Sequence, residues 1–479
     1  MFKKSLIYFL IRAVNGVLGL GMIYILTRIL SAEQYGIYAL GMAGIGLFAS
    51  VSFHWISVAV SRFYSAHLAK PDVLLAAATL LFIRVATAVM FATAVFALWQ
   101  PIRAITPMLA WAIGIGAIAM GWHTLGIQVA NASGQPFRYS LLTVSRGALA
   151  LLAAVAFVKA GMGGVGAVFG LSLACVVSVI FFGVRRQTKV QPSSPQLRHQ
   201  IIVYGLPLTL TYLATMVLDV SDRFMIGWWL GPSAVAGYAA SYDLTQQSVG
   251  SALNVFFLAS YPRITTAWES GGAPGARQAM LPLARAMLLG TPVVVGIFVG
   301  MASDITRFFL GASLRADAVL VIPWVAIAIA IGCLKSYFLD IAFQLAKVTH
   351  MQLRITVLMA VLNVVLNLAL MPKFGVVGAA MSTAAAFSMG AALSWWFGKR
   401  VAVYPAGKGD VMSMVSTLLA LVCAMKLIPT NTDDGVPEAA MRLIAGLTAF
   451  AIAALITNLA GSRTELLSKV SRVFIKGHQ

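Results

Sequence analysis

The stretch YGLPLTLTYLATMVLDVSDRFMIGWWLGPSAVAGYAASYD occupies residues 204–243, near the midpoint of a 479-residue chain. Its first part is an apolar run of helix length that carries Asp219, Asp222 and Arg223 in the middle and stops at Gly231-Pro232. A charge at the centre of a membrane-spanning helix costs about 2.5–3.5 kcal/mol, so it is held by a partner or faces a water-filled cavity. The stretch therefore reads as a membrane helix with a polar face, and the rest of the chain can be tested against that reading.

Composition agrees with it. Hydrophobic residues make up 60% of the chain, charged residues only 10%, and the mean hydropathy is +0.90. A chain this apolar uses lipid as its solvent. In a soluble domain a net charge of +20 would suggest nucleic acid; here the cations are expected in cytoplasmic connectors, with no nucleic-acid partner. Cys175, Cys333 and Cys423 fall inside apolar runs without metal or redox spacing and read as buried thiols.

Working outward, the first apolar run, about 6–30, follows Lys3 and Lys4 and is too long for a signal-peptide core, so it reads as a retained span. Further runs cover about 36–60, 74–99, 104–130, 139–158 and 165–184. The polar connector RRQTKVQPSSPQLRHQ (185–200) interrupts them. Runs follow near 201–230, 233–260, 281–301, 317–345, 353–371, 376–398, 411–429 and 438–459, ahead of a basic tail. The expectation is an all-α polytopic membrane protein of about fourteen spans. Alternate connectors are rich in Lys and Arg, which places both termini in the cytoplasm.

The halves resemble each other. LSAEQYGIYA (30–39) aligns without a gap to LGPSAVAGYA (230–239), setting Tyr38 on Tyr238, and GGVGAV (163–168) corresponds to GVVGAA (375–380). The shared order points to two six-helix lobes in parallel, pseudo-twofold repeat. The expected organisation is a first lobe over 1–184, a cytoplasmic linker over 185–200, a second lobe over 201–400, and two further spans with a basic tail over 401–479. Parallel repeats of this kind carry their substrate site near the bilayer midplane.

The opening KSLIYFLIRAVNGVLGLGMIYILTRILSAEQYGIYAL, the DRFMIGWWLGPSAVAGYAASY of the seventh span and the GVVGAA before the twelfth resemble the polysaccharide-transporter family of Wzx-type flippases, within the multidrug/oligosaccharidyl-lipid/polysaccharide (MOP) exporter superfamily. The resemblance implies a flippase of the bacterial inner membrane. Its substrate would be an undecaprenyl-pyrophosphate-linked oligosaccharide moved to the periplasmic leaflet for surface or exopolysaccharide synthesis. It also implies alternating access, a cationic central cavity, a lipid environment, and a polysaccharide polymerase and chain-length regulator as partners.

Arginine suits such a cavity because its planar fork binds phosphate oxygens bidentately and stays charged when desolvated. The cations at membrane depth are Arg12, Arg28, Arg84, Arg146, Arg223 and Lys335. Arg12 and Asn15 share a face of the first span, where Arg12 reads either as a cavity ligand or as a snorkelling anchor. Arg28, close to the periplasmic end, reads as a gate or interface residue. Arg84 and Arg146 lie deep within their spans and are expected to face the cavity.

Asp219 and Arg223 stand four apart and can pair along the helix. In the alternative reading Arg223 binds phosphate while Asp219, Asp222 or Asp340 exchanges H+ or Na+ to drive the cycle. Lys335 and Asp340 are five apart, so each is expected to find its partner on another helix. Asn363 and Asn367 stack at helical spacing and fit hydrogen bonds between helices. His54 and His123 read as packing residues. The sequence shows no nucleotide loop, clustered metal ligands or catalytic constellation, so neither an enzyme nor a resident cofactor or metal is expected. The competing transport reading is a proton- or sodium-coupled drug or metabolite antiporter of the same superfamily. Its cationic substrates would favour an acidic cavity.

Overall fold

The computed structural model describes residues 2–68, 71–99, 105–183, 194–401, 404–405, 407–428 and 435–464, and every element within them is a helix. In chain order these are α1 (Phe2–Ile29), α2 (Ala32–Ala49), α3 (Trp55–Tyr64), α4 (Pro71–Trp99), α5 (Pro107–Ala132), α6 (Pro136–Phe157), α7 (Gly163–Phe182), α8 (Pro195–Gly205) and α9 (Leu208–Trp229). There follow α10 (Pro232–Thr245), α11 (Ser251–Gly300), α12 (Ala302–Phe309), α13 (Arg315–Leu334), α14 (Ile341–Leu345), α15 (Thr349–Gly398), α16 (Lys408–Lys426) and α17 (Gly435–Ile456).

Ten helical runs are long and apolar enough to cross a membrane, with Ala13–Ile29 as a shorter apolar helix. The chain is thus a multi-pass membrane protein. Three of the runs, Pro136–Phe182, Pro232–Gly300 and Thr349–Gly398, hold 47, 69 and 50 residues. A crossing needs about 20 residues, so each is longer than one passage. Each is broken at glycine with positive φ: Gly163 (φ 56°, ψ −147°), Gly272 (φ 59°, ψ −149°) and Gly375 (φ 56°, ψ −136°). That corner of backbone space is closed to side chains with a Cβ. Gly163 and Gly375 are the matched glycines of GGVGAV and GVVGAA, so the repeat marks two identical bends.

The other repeated signature also has a structural meaning. Ser31 caps α2, its hydroxyl accepting from the Gln34 amide, whereas the matched Gly231 reaches its helix start through a φ of 85°. The helix after each signature then loosens into a π turn, Ser50–His54 beyond α2 and Gln246–Gly250 beyond α10. Further π turns stand at Val158–Met162 and Lys335–Leu339.

Contacts divide the chain into two compact units. The first takes in 1–240, 311–314 and 367–379; the second takes in 241–310, 315–366 and 380–479. In the first, α3, α4, α5 and α8 bury Trp55, Ile56, Leu74, Leu81, Leu125 and Ile201 together. A second core there gathers Ile45, Leu109, Ile113, Val168 and Cys175 from α2, α5 and α7. Helices approach closely where glycine replaces a side chain: a Cβ on Gly170 of α7 would lie 2.6 Å from the Ala154 amide nitrogen of α6. Small residues give membrane helices this proximity in place of hydrophobic driving force. In the second unit α11 packs on α16 and α17 through Leu288, Met301, Leu421, Met425 and Ala454.

Residues 185–193 of the expected linker lie outside the described residues, and 195–200 already belong to α8. The run from 233 to 301 was expected as two spans with a polar connector between; it is continuous helix around the single break at Gly272. Cys175 and Cys333 are buried as expected, but Cys423 is exposed, because its helix α16 turns that side away from the protein.

Candidate functional site

In the first unit α1, α5 and α7 pack on α6 and surround its midpoint, where Arg146 lies half-buried. The Arg146 Nη1 reaches the Met120 sulfur at 3.8 Å and the side chain also meets the Cys175 thiol, while its buried Nε has no hydrogen-bond partner. A thioether is a weak acceptor for a guanidinium that offers five donors. Among the described residues Arg146 forms no ion pair. Beside it, the Asn15 side-chain oxygen would lie 3.1 Å from a Cβ placed on Gly147, so Asn15 of α1 sits against the same stretch of α6.

A neutral polar network lies beside this cation. The Leu142 carbonyl accepts from the Ser178 hydroxyl at 3.0 Å and meets the His123 Nε2 at 3.1 Å, while Ser145 and Ser178 hydroxyls lie 2.8 Å apart. His123 therefore has the satisfied packing role expected of it. Ser145 and Ser178 escaped sequence reasoning because a serine in an apolar helix carries no periodic signal.

Asp219, Asp222 and Arg223 follow one another on α9, also in the first unit. Asp222 is buried and accepts from the Tyr238 hydroxyl of α10 and from the Asn367 amide of α15. Arg223 is buried as well. Asp219 is half-buried and, among the described residues, makes neither a hydrogen bond nor an ion pair, although the charges of Arg223 and Asp222 act on it; of the two readings, the Asp219–Arg223 contact pair is not formed. Tyr238 is the tyrosine that the internal repeat sets on Tyr38, and that match was the signal that singled it out.

In the second unit Lys335 and Asp340 pair with each other at 2.7 Å, and Asp340 also accepts from the Ser394 hydroxyl at 2.7 Å. This corrects the expectation that Lys335 pairs with another helix. The π turn Lys335–Leu339 carries the Asp340 amide back to the Lys335 carbonyl at 2.8 Å, and that i+5 closure stacks the two side chains. Asn363 donates to the Thr383 hydroxyl at 3.3 Å, joining the two segments of α15 on either side of the Gly375 break.

The remaining candidates separate by position. The side chain of Arg12 lies outside the described residues. Arg28 is exposed, stacks 3.5 Å over the Tyr24 ring and donates to the Tyr24 carbonyl at 2.9 Å, an arrangement suited to an interface. Arg84 is exposed midway along α4, flanked by exposed Ile83 and Phe91. Among the described residues no group of three or more His, Cys, Asp or Glu side chains gathers as a metal site.

Comparison with solved structures places this arrangement in a known fold. The lipid II flippase MurJ in its inward closed conformation superposes with a TM-score of 0.75 at 12% identity, over 96% of this chain and 99% of that chain. A multidrug resistance MATE family transporter of the MOP superfamily, in an inward-facing conformation, superposes with a TM-score of 0.64 at 16% identity, over 81% of this chain and 93% of that one. At such identities the likeness is one of fold. No curated protein sequence matches the chain. The family model described as polysaccharide biosynthesis protein matches residues 1–268, which include α1 to α10 and all of the first unit's candidate site residues. The chain belongs to the polysaccharide biosynthesis protein family.

Proposed function

We propose that the protein is a flippase for a polyprenyl-pyrophosphate-linked oligosaccharide, moving it from the cytoplasmic to the periplasmic leaflet of a bacterial inner membrane by alternating access. The observation that carries this reading is Arg146, a half-buried guanidinium whose partners among the described residues are the weakly accepting sulfurs of Met120 and Cys175, with no carboxylate. A cation kept at membrane depth without a carboxylate is costly, and a pyrophosphate that binds its fork would offset that cost. Asn15 belongs to the same subsite, and Arg12, Arg84 and Arg223 are assigned to the path of the phosphates. Family membership and the fold shared with a lipid II flippase support the substrate class.

For coupling, Asp219 is the carboxylate we assign to H+ or Na+ exchange, because it makes no hydrogen bond or ion pair among the described residues. Asp222, fixed by Tyr238 and Asn367, is its anchored neighbour. Lys335 and Asp340 neutralise each other, and this reading leaves them out of the binding and coupling sets. We count fourteen crossings by dividing the three long runs at their glycine breaks and taking α1 as the first, with both termini cytoplasmic and transport rather than catalysis as the activity.

The test is reconstitution. Purified protein in proteoliposomes should change the sidedness of a labelled undecaprenyl-pyrophosphate oligosaccharide, and faster under a proton or sodium gradient. Unchanged sidedness under every gradient, together with gradient-driven movement of a cationic drug, would replace the flippase with the antiporter reading.

A further inference from the structure

The C-terminal turn of α15 carries Trp395, Trp396, Phe397, Lys399 and Arg400 in succession around Gly398. Both cations fold back onto aromatic faces. The Lys399 Nζ stands 4.5 Å from the Trp395 ring centroid and 4.2 Å from that of Trp396. The Arg400 guanidinium stands 5.9 Å from Trp396 and 5.6 Å from Phe397. Trp395 and Trp396 are 39% and 49% exposed, and both cations are exposed too. The platform is therefore open to its surroundings.

Among the described residues neither cation has a carboxylate partner, and neither head group donates a hydrogen bond. Lysine offers three donors and arginine five, so the pair presents eight N–H groups beside a shelf of indole rings. The shelf ends the apolar run Thr349–Gly398, which sets it at the edge of the hydrocarbon. Indoles settle at that depth, with the apolar body in the acyl region and the polar N–H edge toward the head groups. The shelf is held from behind: Ser394, one residue earlier, bonds to Asp340, and the Tyr404 hydroxyl donates to the Leu339 carbonyl at 2.7 Å.

We propose that Trp395, Trp396, Lys399 and Arg400 form a binding site for the phosphodiester head group of an anionic membrane lipid. The two cations take the phosphate oxygens and the indoles pack on the glycerol backbone and upper acyl chain. Two cations without an acidic residue fit one phosphodiester anion, and the aromatic shelf selects a lipid over a free anion because it also needs an apolar stem. The inference is independent of the transport reading, since it concerns a different end of α15 and a lipid that is held rather than moved.

The experiment is a titration of the purified full-length protein with phosphatidylglycerol or phosphatidylcholine, counting bound lipid by native mass spectrometry. The wild type should retain phosphatidylglycerol in preference. K399Q/R400Q should bind it about thirtyfold more weakly, from two surface cations. W395L/W396L keeps both charges and should weaken binding about twofold to fivefold through the lost ring contacts. R263Q/R277Q removes two exposed cations elsewhere and should leave the preference intact. Melting in phosphatidylcholine alone verifies that each variant is folded. The proposal is overturned if K399Q/R400Q binds like wild type, or if R263Q/R277Q loses as much. It is also overturned if W395L/W396L has no effect, or if millimolar inorganic phosphate displaces the lipid.

Discussion

Lys335 and Asp340 form a buried ion pair at 2.7 Å that exists only because the helix between them is a π turn. In an α-helix residues five apart point about 140° away from each other. The i+5 closure brings them onto one face, and Ser394 then fills a remaining acceptor site on Asp340. Backbone irregularity and charge neutralisation are one arrangement here: the extra residue in the turn is what lets a lysine and an aspartate be buried together.

Breaking the pair from one side should be severe. K335M leaves the Asp340 carboxylate buried and uncompensated, a loss of about 3–5 kcal/mol, whereas K335M/D340L removes both charges and should recover most of it. Thermal unfolding in detergent measures both. A double variant no more stable than the single one would mean that the pair does not act as a unit.

The membrane class and the all-helical fold were legible because an apolar run of crossing length leaves few alternatives. The repeat was legible through its glycines, since Gly163 and Gly375 occupy backbone conformations that only glycine adopts freely. The π turns were not. Whether an amide closes onto the fourth or the fifth preceding carbonyl is decided by tertiary packing, and KSYFL carries no local mark of it. The Lys335–Asp340 pair was therefore misread from α-helical spacing. Arg146 was singled out by depth alone, but its lack of a carboxylate needs the third dimension, as does the finding that Asp222 rather than Asp219 holds the hydrogen bonds.

Asp222 receives two buried donors, the Tyr238 hydroxyl and the Asn367 amide. D222A strands both, at about 1–3 kcal/mol for each unfilled group. Y238F removes one donor and leaves the carboxylate with Asn367, so it should cost less than D222A. Comparing the melting temperatures of the two variants checks the order; a reversed order would show that Tyr238 matters by packing rather than by its hydroxyl.

Two glycines on α2 offer an internal control for close helix approach. A Cβ on Gly36 would run into the Pro232 carbonyl oxygen, while one on Gly46 would meet nothing within 4 Å. G36A forces backbone apart and should destabilise by about 1–3 kcal/mol or more. G46A should be neutral or stabilising, because alanine exceeds glycine by about 1 kcal/mol in a helix interior. Parallel melting curves of the two variants decide it, and equal effects would contradict the tight α2–Pro232 contact.

Arg146 separates a binding role from a structural one. If its fork holds pyrophosphate, R146Q loses charge-assisted hydrogen bonds of about 1.5–3 kcal/mol, which corresponds to about tenfold to a hundredfold weaker substrate binding. R146K keeps the charge but loses the bidentate geometry and should fall between the two. Arg28, resting on the Tyr24 ring at the exposed face of α1, should lose only a few-fold when changed to glutamine. Substrate binding and transport are read in the same proteoliposomes, with the amount of inserted protein as reference. The prediction is refuted if R146Q transports like wild type, or if R146Q and R146K fall equally with unchanged binding, since a guanidinium that only props α6 against Met120 would give that second pattern.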